Sequence, residues 1–331
     1  MTTTQKRSFK DGLQFAWDGT SLELAQTCLR KYYYTMIRGI KPRRESVHLI
    51  FGGIYASALE HFYKYRAEGL SIDDALREVV REALIASWRF EDCPACDGSG
   101  QHGDDLDCGA CDGSGYKSLG AVYFDDTKKT RVNLIRTIVW YIEQFAEETD
   151  DGIRTYHLQN GKPAVELSFT LELDDELLYC GHLDRVVEYG GHLYVMDQKT
   201  TGGTVGTYFF DQFSPNNQMS GYSWAGQAIL GSPVRGVIID AAQIAVNFTR
   251  FERGITTRTK DQLEEWYDSA LWTIKLARQA TALDQWPMNL SACGNYGGCP
   301  FRQLCSRSPS VRENYIKSDY AEHNWDPLKA R

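Results

Sequence analysis

Apolar and polar positions along the chain predict six helices and a set of strands. Ser21 to Arg38 carries apolar or aromatic residues at Leu22, Leu24, Ala25, Leu29, Tyr32, Tyr33 and Met36, with Thr20 or Ser21 as N-cap. Ile50 to Glu68 forms a second helix, and Ser71-Ile72-Asp73-Asp74 opens a third that runs through Ala75 to Phe90. Lys128 to Glu148 and Asn216 to Leu230 are the next two. Thr259 and Gln262 form a capping box for the last, which reaches Leu283. Strand alternation appears from Ala164 to Leu173, across Cys180 to Thr201, and from Val234 to Phe248.

The stretch from Cys180 to Thr201 is the most informative. Gly190-Gly191 divides two apolar runs, so it reads as a β-hairpin with a two-residue turn. With those glycines as the loop, Tyr189 pairs with His192, Val187 with Tyr194, and Asp184 with Asp197. Directly opposed side chains have Cβ atoms about 4.5–5.5 Å apart, and two like charges there need a cation between them. The strand period of two puts Lys199 on the face of Asp197. Two carboxylates and an ammonium on one face make a divalent-metal site with a catalytic cation beside it. Asp-Gln-Lys alone would be an ordinary solvated strand end; the opposed Asp184 changes that. Glu166, on the preceding strand, falls within a residue of Leu183 or Asp184.

Composition narrows the setting. The 331 residues, 42% apolar, suffice for a substantial core, and no 18-residue apolar run or signal-like start appears, so a reducing cytoplasm is expected and no membrane partner. A net charge of −8 argues against a protein that coats nucleic acid non-specifically. Local basic clusters are Arg30-Lys31, Lys41 with Arg43-Arg44, Arg250 with Arg253, Arg258 with Lys260, and Arg302 with Arg307; each alone is an ordinary solvated face. The nine cysteines exceed what a reducing compartment explains by disulfides. Cys93, Cys96, Cys108 and Cys111 belong to a repeat with a 15-residue period, Cys-x-x-Cys-Asp-Gly-Ser-Gly, whose four thiolates can hold one tetrahedral zinc. Its Cys-x-x-Cys-x-Gly-x-Gly units resemble those of the DnaJ zinc domain. Cys180 is left over as a buried, inert thiol.

Gly181-His182-Leu183-Asp184-Arg185-Val186 followed by Val195-Met196-Asp197-Gln198-Lys199-Thr200 resembles the second and third motifs of the PD-(D/E)XK nuclease superfamily, in its RecB-like branch. The resemblance implies an α/β restriction-endonuclease-like core, a central mixed sheet flanked by helices, with the zinc knuckle as a small insertion. It implies that Asp184, Asp197 and the Gln198 carbonyl bind Mg²⁺ or Mn²⁺ while Lys199 orients the attacking water. Gln218 and Tyr222, four apart on one helix face, match the Gln-x-x-x-Tyr helix that lines the active site in this branch. The first motif usually supplies a histidine from the helix beginning Phe51-Gly52-Gly53; Ala56 stands there instead. Glu60, on the same helix face as Ala56, is the preferred substitute ligand and His61 the alternative.

Cys28 with Cys293, Cys299 and Cys305 makes a second four-thiolate set, for which iron–sulfur and zinc are both physically open. The resemblance to AddB-type nucleases and the CRISPR-adaptation nucleases related to them implies a [4Fe–4S] cluster. The expected organisation is a helical part over 1–90, the knuckle over 91–117, the nuclease core over 118–290 and a C-terminal cysteine cluster and tail over 291–331. The expected activity is metal-dependent hydrolysis of DNA, as an exonuclease in recombination, repair or replication, with a helicase or recombinase as partner. A catalytically silent DNA-binding scaffold is the rival reading, and an RNA substrate is not distinguished by sequence.

Overall fold

The computed structural model describes residues 9–43, 46–102, 106–122, 126–147 and 151–329. Arg44 of the basic cluster and Glu148 at the expected helix end lie outside them. The main elements in chain order are helices α1 (Gly19–Thr27), α2 (Val47–Ala67), α3 (Ile72–Ala86) and α4 (Arg131–Phe145), then strands β1 (Val165–Asp174), β2 (Leu177–Tyr189) and β3 (His192–Thr201). Helix α5 (Asn217–Leu230), strands β4 (Val234–Ile244) and β5 (Thr249–Thr256), and helix α6 (Lys260–Leu283) complete the core. The sheet runs in the order β1-β2-β3-β4-β5; of these five, β3 and β4 pair parallel and the others antiparallel, and α5 is the crossover that the parallel connection requires. Two short strands extend β2: Ala16–Trp17 pairs parallel with it and Arg154–Thr155 antiparallel.

Helices cover both faces. On one, Leu22, Trp17, Met219, Ala225, Trp266, Ala270 and Ile274 pack with Val186, Val195 and Val237. On the other, Phe51, Tyr55, Leu59, Phe62, Val79, Leu134 and Ile138 pack with Val165, Ala242 and Ile244. Burying each large side chain in these layers contributes about 1.5–3 kcal/mol, which fixes which face each helix can occupy. Among the described residues, no helix is long and apolar enough to cross a membrane.

Three expected elements differ. The first helix breaks at Cys28, which is extended (φ −168°, ψ 116°), because the Arg30 amide bonds to the Pro287 carbonyl (3.1 Å) and the Asn289 amide to Cys28 Sγ (3.4 Å). A four-residue helix and a π-helical turn then carry the chain on to Ile37. The third helix stops at Ala86, where Ser87 Oγ bonds the Ala83 carbonyl (2.6 Å) and Arg131 the Leu84 carbonyl (3.1 Å), satisfying the helix end. Trp88–Asp92 pairs instead with Tyr116–Ala121 as a ribbon that carries the cysteine knuckle. The segment from Val234 to Phe248 is not one strand: Ala245 donates to the Phe248 carbonyl (3.0 Å), and the chain reverses into β5.

Candidate active site

The hairpin register holds. Tyr189 pairs with His192, Val187 with Tyr194 and Arg185 with Met196, so Asp184 stands opposite Asp197 at the next step. On the other side of β2, Val165 pairs with Arg185 and Leu167 with Leu183, which leaves Glu166 across from Asp184. Glu166 has φ of +48°, a conformation costly for a side-chain-bearing residue and concentrated at functional sites. Three acids therefore lie in a row across β1, β2 and β3.

Strand alternation assigns their face. Arg185, next to Asp184, lays its guanidinium over the Tyr63 ring of α2 at 3.6 Å, so Asp184, Asp197 and Lys199 project to the opposite face, under α1 and α5. Asp197 is fully buried and ion-paired with Lys199, which remains partly exposed. Apart from that ion pair, neither Asp197 oxygen accepts a well-formed hydrogen bond among the described residues. Burial first, and then the Asp197 charge, push the Asp184 carboxyl up to about 8, Glu166 adding to the rise while Lys199 and the Gln198 amide (3.3 Å to Oδ2) oppose it. Burial also raises Asp197, against the pull of Lys199. Acids crowded in this way, with one ammonium among them, are relieved by a proton on Asp184 or by a bound cation.

On α5, Gln218 Nε2 donates to the Tyr222 hydroxyl (2.9 Å). Burial and the two aspartates drive the phenol well above its usual range, so it stays protonated. Gln218, Tyr222 and Asp184 line one cavity of ≈ 240 Å³ with Asp18 at the start of α1 and Trp325 from the C-terminal segment. Behind the sheet, Asp240 pairs in register with Gln198 and is held by Arg253 (3.0 Å) and the Tyr141 hydroxyl. Sequence reasoning missed Asp18, Asp240 and Trp325. Asp18 carries an N-cap signal, since its side chain accepts from the Ser21 amide (2.7 Å); the other two carry none.

Glu60 and His61 are engaged elsewhere. Glu60 ion-pairs Lys64 (2.5 Å) and His61 meets Glu82 of α3 (2.6 Å). The reason is the face: α2 packs on the side of Tyr63 and Arg185, away from Asp184. Glu166, rather than either of these, is the third acid beside the opposed pair.

The knuckle cysteines converge. All four sulfurs lie within 4.8 Å of one another, with Cys93 to Cys108 at 3.9 Å and Cys96 to Cys111 at 3.8 Å. Four thiolates about 2.3 Å from one tetrahedral zinc would be about 3.8 Å apart. The Gly100 and Gly115 amides donate to Cys96 and Cys111 (3.3 Å each). Cys28 and Cys293 meet around Asn289, and Cys299 and Cys305 pack against one small cluster. Asn289 bonds both Cys28 and Cys293, the Cys299 amide bonds the Cys293 carbonyl (3.0 Å), and Cys305, raised by burial, has Cys299 and Cys28 among its electrostatic neighbours.

The sequence profile of the PD-(D/E)XK nuclease superfamily matches residues 19–306. The chain belongs to the PD-(D/E)XK nuclease superfamily. The mixed sheet with helices on both faces is the architecture of such a nuclease, and the superfamily consists generally of nucleases that use divalent metals. Among solved structures, SSO0001 is similar at 14% identity with a TM-score of 0.27, over 44% of this chain and 61% of that one; the chain thus spans under two thirds of its length. No curated protein matches this chain.

Proposed function

We propose that this chain is a divalent-metal-dependent DNA nuclease of the RecB-like branch, acting on DNA ends in recombination, repair or replication. The observation that carries the reading is the pair of opposed aspartates, Asp197 buried and Asp184 half-buried at the cavity wall, with Lys199 ion-paired to Asp197. Hard carboxylate oxygens suit Mg²⁺ or Mn²⁺, and the Asp197 oxygens, which accept no well-formed hydrogen bond beyond the Lys199 ion pair, fit such an ion. Asp184, Asp197 and the Gln198 carbonyl would hold it, with Glu166 beside them in place of Glu60 or His61. When bound, the ion acidifies water and neutralises phosphate charge. Lys199 holds the nucleophilic water's orientation and offsets charge on the phosphate, and its stem keeps the ammonium at the Asp197 edge. Gln218 and Tyr222 wall the site and present an amide and a neutral phenol to the substrate.

The knuckle would bind structural zinc through Cys93, Cys96, Cys108 and Cys111. Cys28, Cys293, Cys299 and Cys305 would bind a [4Fe–4S] cluster that staples the chain ends. Brown colour and about four irons per chain after anaerobic purification are expected; a colourless protein with two zincs refutes the cluster. A helicase or recombinase is the fitting partner class for a nuclease of this branch.

Incubation of linear single- and double-stranded DNA, and of RNA, with the protein and Mn²⁺ tests the activity. Digestion of DNA is expected. A metal-loaded, folded protein that retains DNA and cleaves nothing would favour a silent binder, the reading that Ala56 and the diverted Glu60 and His61 support.

A further inference from the structure

A second cavity, of ≈ 680 Å³, shares no lining residue with the one beside Asp184. Its volume falls inside the usual range of about 300–1,000 Å³ for small-molecule sites. The walls come from the helical turns over 29–38, the C-terminal end of α6 with the loop over 284–287, and the short helix Arg312–Asp319. Arg30 ties the first wall to the second: its amide bonds the Pro287 carbonyl (3.1 Å) and its Nε the Trp286 carbonyl (2.6 Å). The Tyr33 and Trp286 rings stack across the same junction with centroids 5.1 Å apart.

Several donors of this lining are left over once the fold is made. The two terminal amino groups of Arg30 have no partner among the described residues. Arg312 commits Nε and Nη2 to the Arg307 and Cys305 carbonyls (3.1 and 3.0 Å), which leaves Nη1. Both guanidiniums act on the Cys305 thiol, so they stand near one another. Trp286 is only 6% exposed, and its indole N–H also lacks a partner among the described residues, a condition that buried donors rarely keep. Arg38, the third arginine, is neutralised by Glu313 through two bonds (2.8 and 3.0 Å), so the free positive charge belongs to Arg30 and Arg312. Guanidinium forks of this kind suit phosphate oxygens. Leu29, Ala280, Leu283 and Pro287 add an apolar wall, while the exposed Gln279, Asp284 and Gln285 offer amides and a carboxylate to the polar edges of a base and a sugar.

We propose that this cavity binds a nucleoside monophosphate, with the phosphate on Arg30 and Arg312 and the base along the apolar wall. The choice of a nucleotide over another phosphate ester rests on the nuclease reading, since hydrolysis of DNA ends releases such molecules; the protein then meets its own product at a site separate from the acids. No strand contributes to the lining among the described residues, so an extended peptide would find no main-chain edge to pair with.

The test is isothermal titration of the full chain, purified anaerobically, with deoxyadenosine monophosphate and no added divalent metal. Wild type, Asp197→Ala, Arg30→Gln and Gln279→Glu are compared, each checked for folding by circular dichroism and thermal unfolding. One equivalent should bind wild type and Asp197→Ala alike. Deoxyadenosine and inorganic phosphate should each bind at least about tenfold more weakly, because each lacks one half of the contacts. Arg30→Gln should weaken nucleotide binding about tenfold or more, the scale of one hydrogen bond to a charged group. Gln279→Glu alters an exposed side chain and should weaken it about threefold or more by repulsion of the phosphate, which keeps the test decisive if Arg30→Gln does not fold. No binding by wild type, equal affinity for inorganic phosphate, or unchanged affinity in the folded variants at Arg30 or Gln279 overturns the proposal. Binding abolished in Asp197→Ala places the nucleotide among the acids and overturns it as well. Absence of DNA cleavage in Mn²⁺ with Arg30-dependent nucleotide binding intact would count against the nuclease reading and for the cavity.

Discussion

Asp197 is buried and Asp184 half-buried opposite it, and that arrangement dictates how the metal-free protein responds to pH. The Asp184 carboxyl lies near 3.8 in an unfolded chain and is pushed up to about 8 when folded, by burial first and by Asp197 second. A raised folded-state value means the stabilisation is complete below about 3.8 and is lost as pH rises to about 8, since the unfolded chain ionises first. The metal-free unfolding temperature should therefore fall across that window, and Asp184→Asn should flatten the fall. Added Mg²⁺ should stabilise wild type most at the alkaline end; a flat profile for metal-free wild type would contradict this. A second residue test concerns Gly221, where a Cβ would run into the Tyr179 hydroxyl. Gly221→Ala should cost about 1–3 kcal/mol in urea unfolding by overpacking this wall, and an unchanged midpoint would show the contact to be loose. Asp184, Asp197 and Lys199 were legible because a strand's period of two ties sequence spacing directly to a shared face. Trp325 was not, because it reaches Asp18 only through tertiary packing across 307 residues.

The hairpin and the knuckle are elements whose local sequence determines their form. The Gly190-Gly191 turn sets a register that brings the acids together, and the positive φ of both glycines is what such a turn requires. The knuckle repeat likewise closes on itself: Cys93 and Cys108 donate their amides to the Gly115 and Gly100 carbonyls (2.8 Å each). Gly100 has φ of +76°, and a Cβ there would strike the Gly113 carbonyl. Cys108→Ser is expected to remove one metal per chain and open residues 88–121 to proteolysis while the core unfolds as before. Simultaneous collapse of core and knuckle would show the ribbon to be part of the core's cooperative unit. Helix α2 was legible as a helix, but its partner face was not. Both sheet faces are covered, and apolar periodicity alone does not say that α2 lies against Tyr63 and Arg185 rather than over Asp184. That choice is why Glu60 and His61 pair with Lys64 and Glu82.

At the scale of the whole molecule, the two helical layers have different relations to the acids. Helices α2, α3 and α4 support the sheet from behind, where Asp240, Arg253 and Tyr141 form a buried polar network under β3 and β4. Helices α1 and α5 and the Trp325 segment frame the front, which is the face where the proposed reading brings substrate. A chain with net charge −8 then depends on a bound cation and on Lys199 to tolerate a phosphate there. The most direct measurement is cleavage of end-labelled linear DNA in Mn²⁺ by wild type, Asp197→Ala and Lys199→Ala, purified alike and shown to be folded. Wild type should degrade the DNA, and each variant should fall at least about 100-fold, the scale for removing one electrostatic partner of the transition state. Undiminished digestion by either folded variant would contradict the assignment of this hairpin as the centre of hydrolysis.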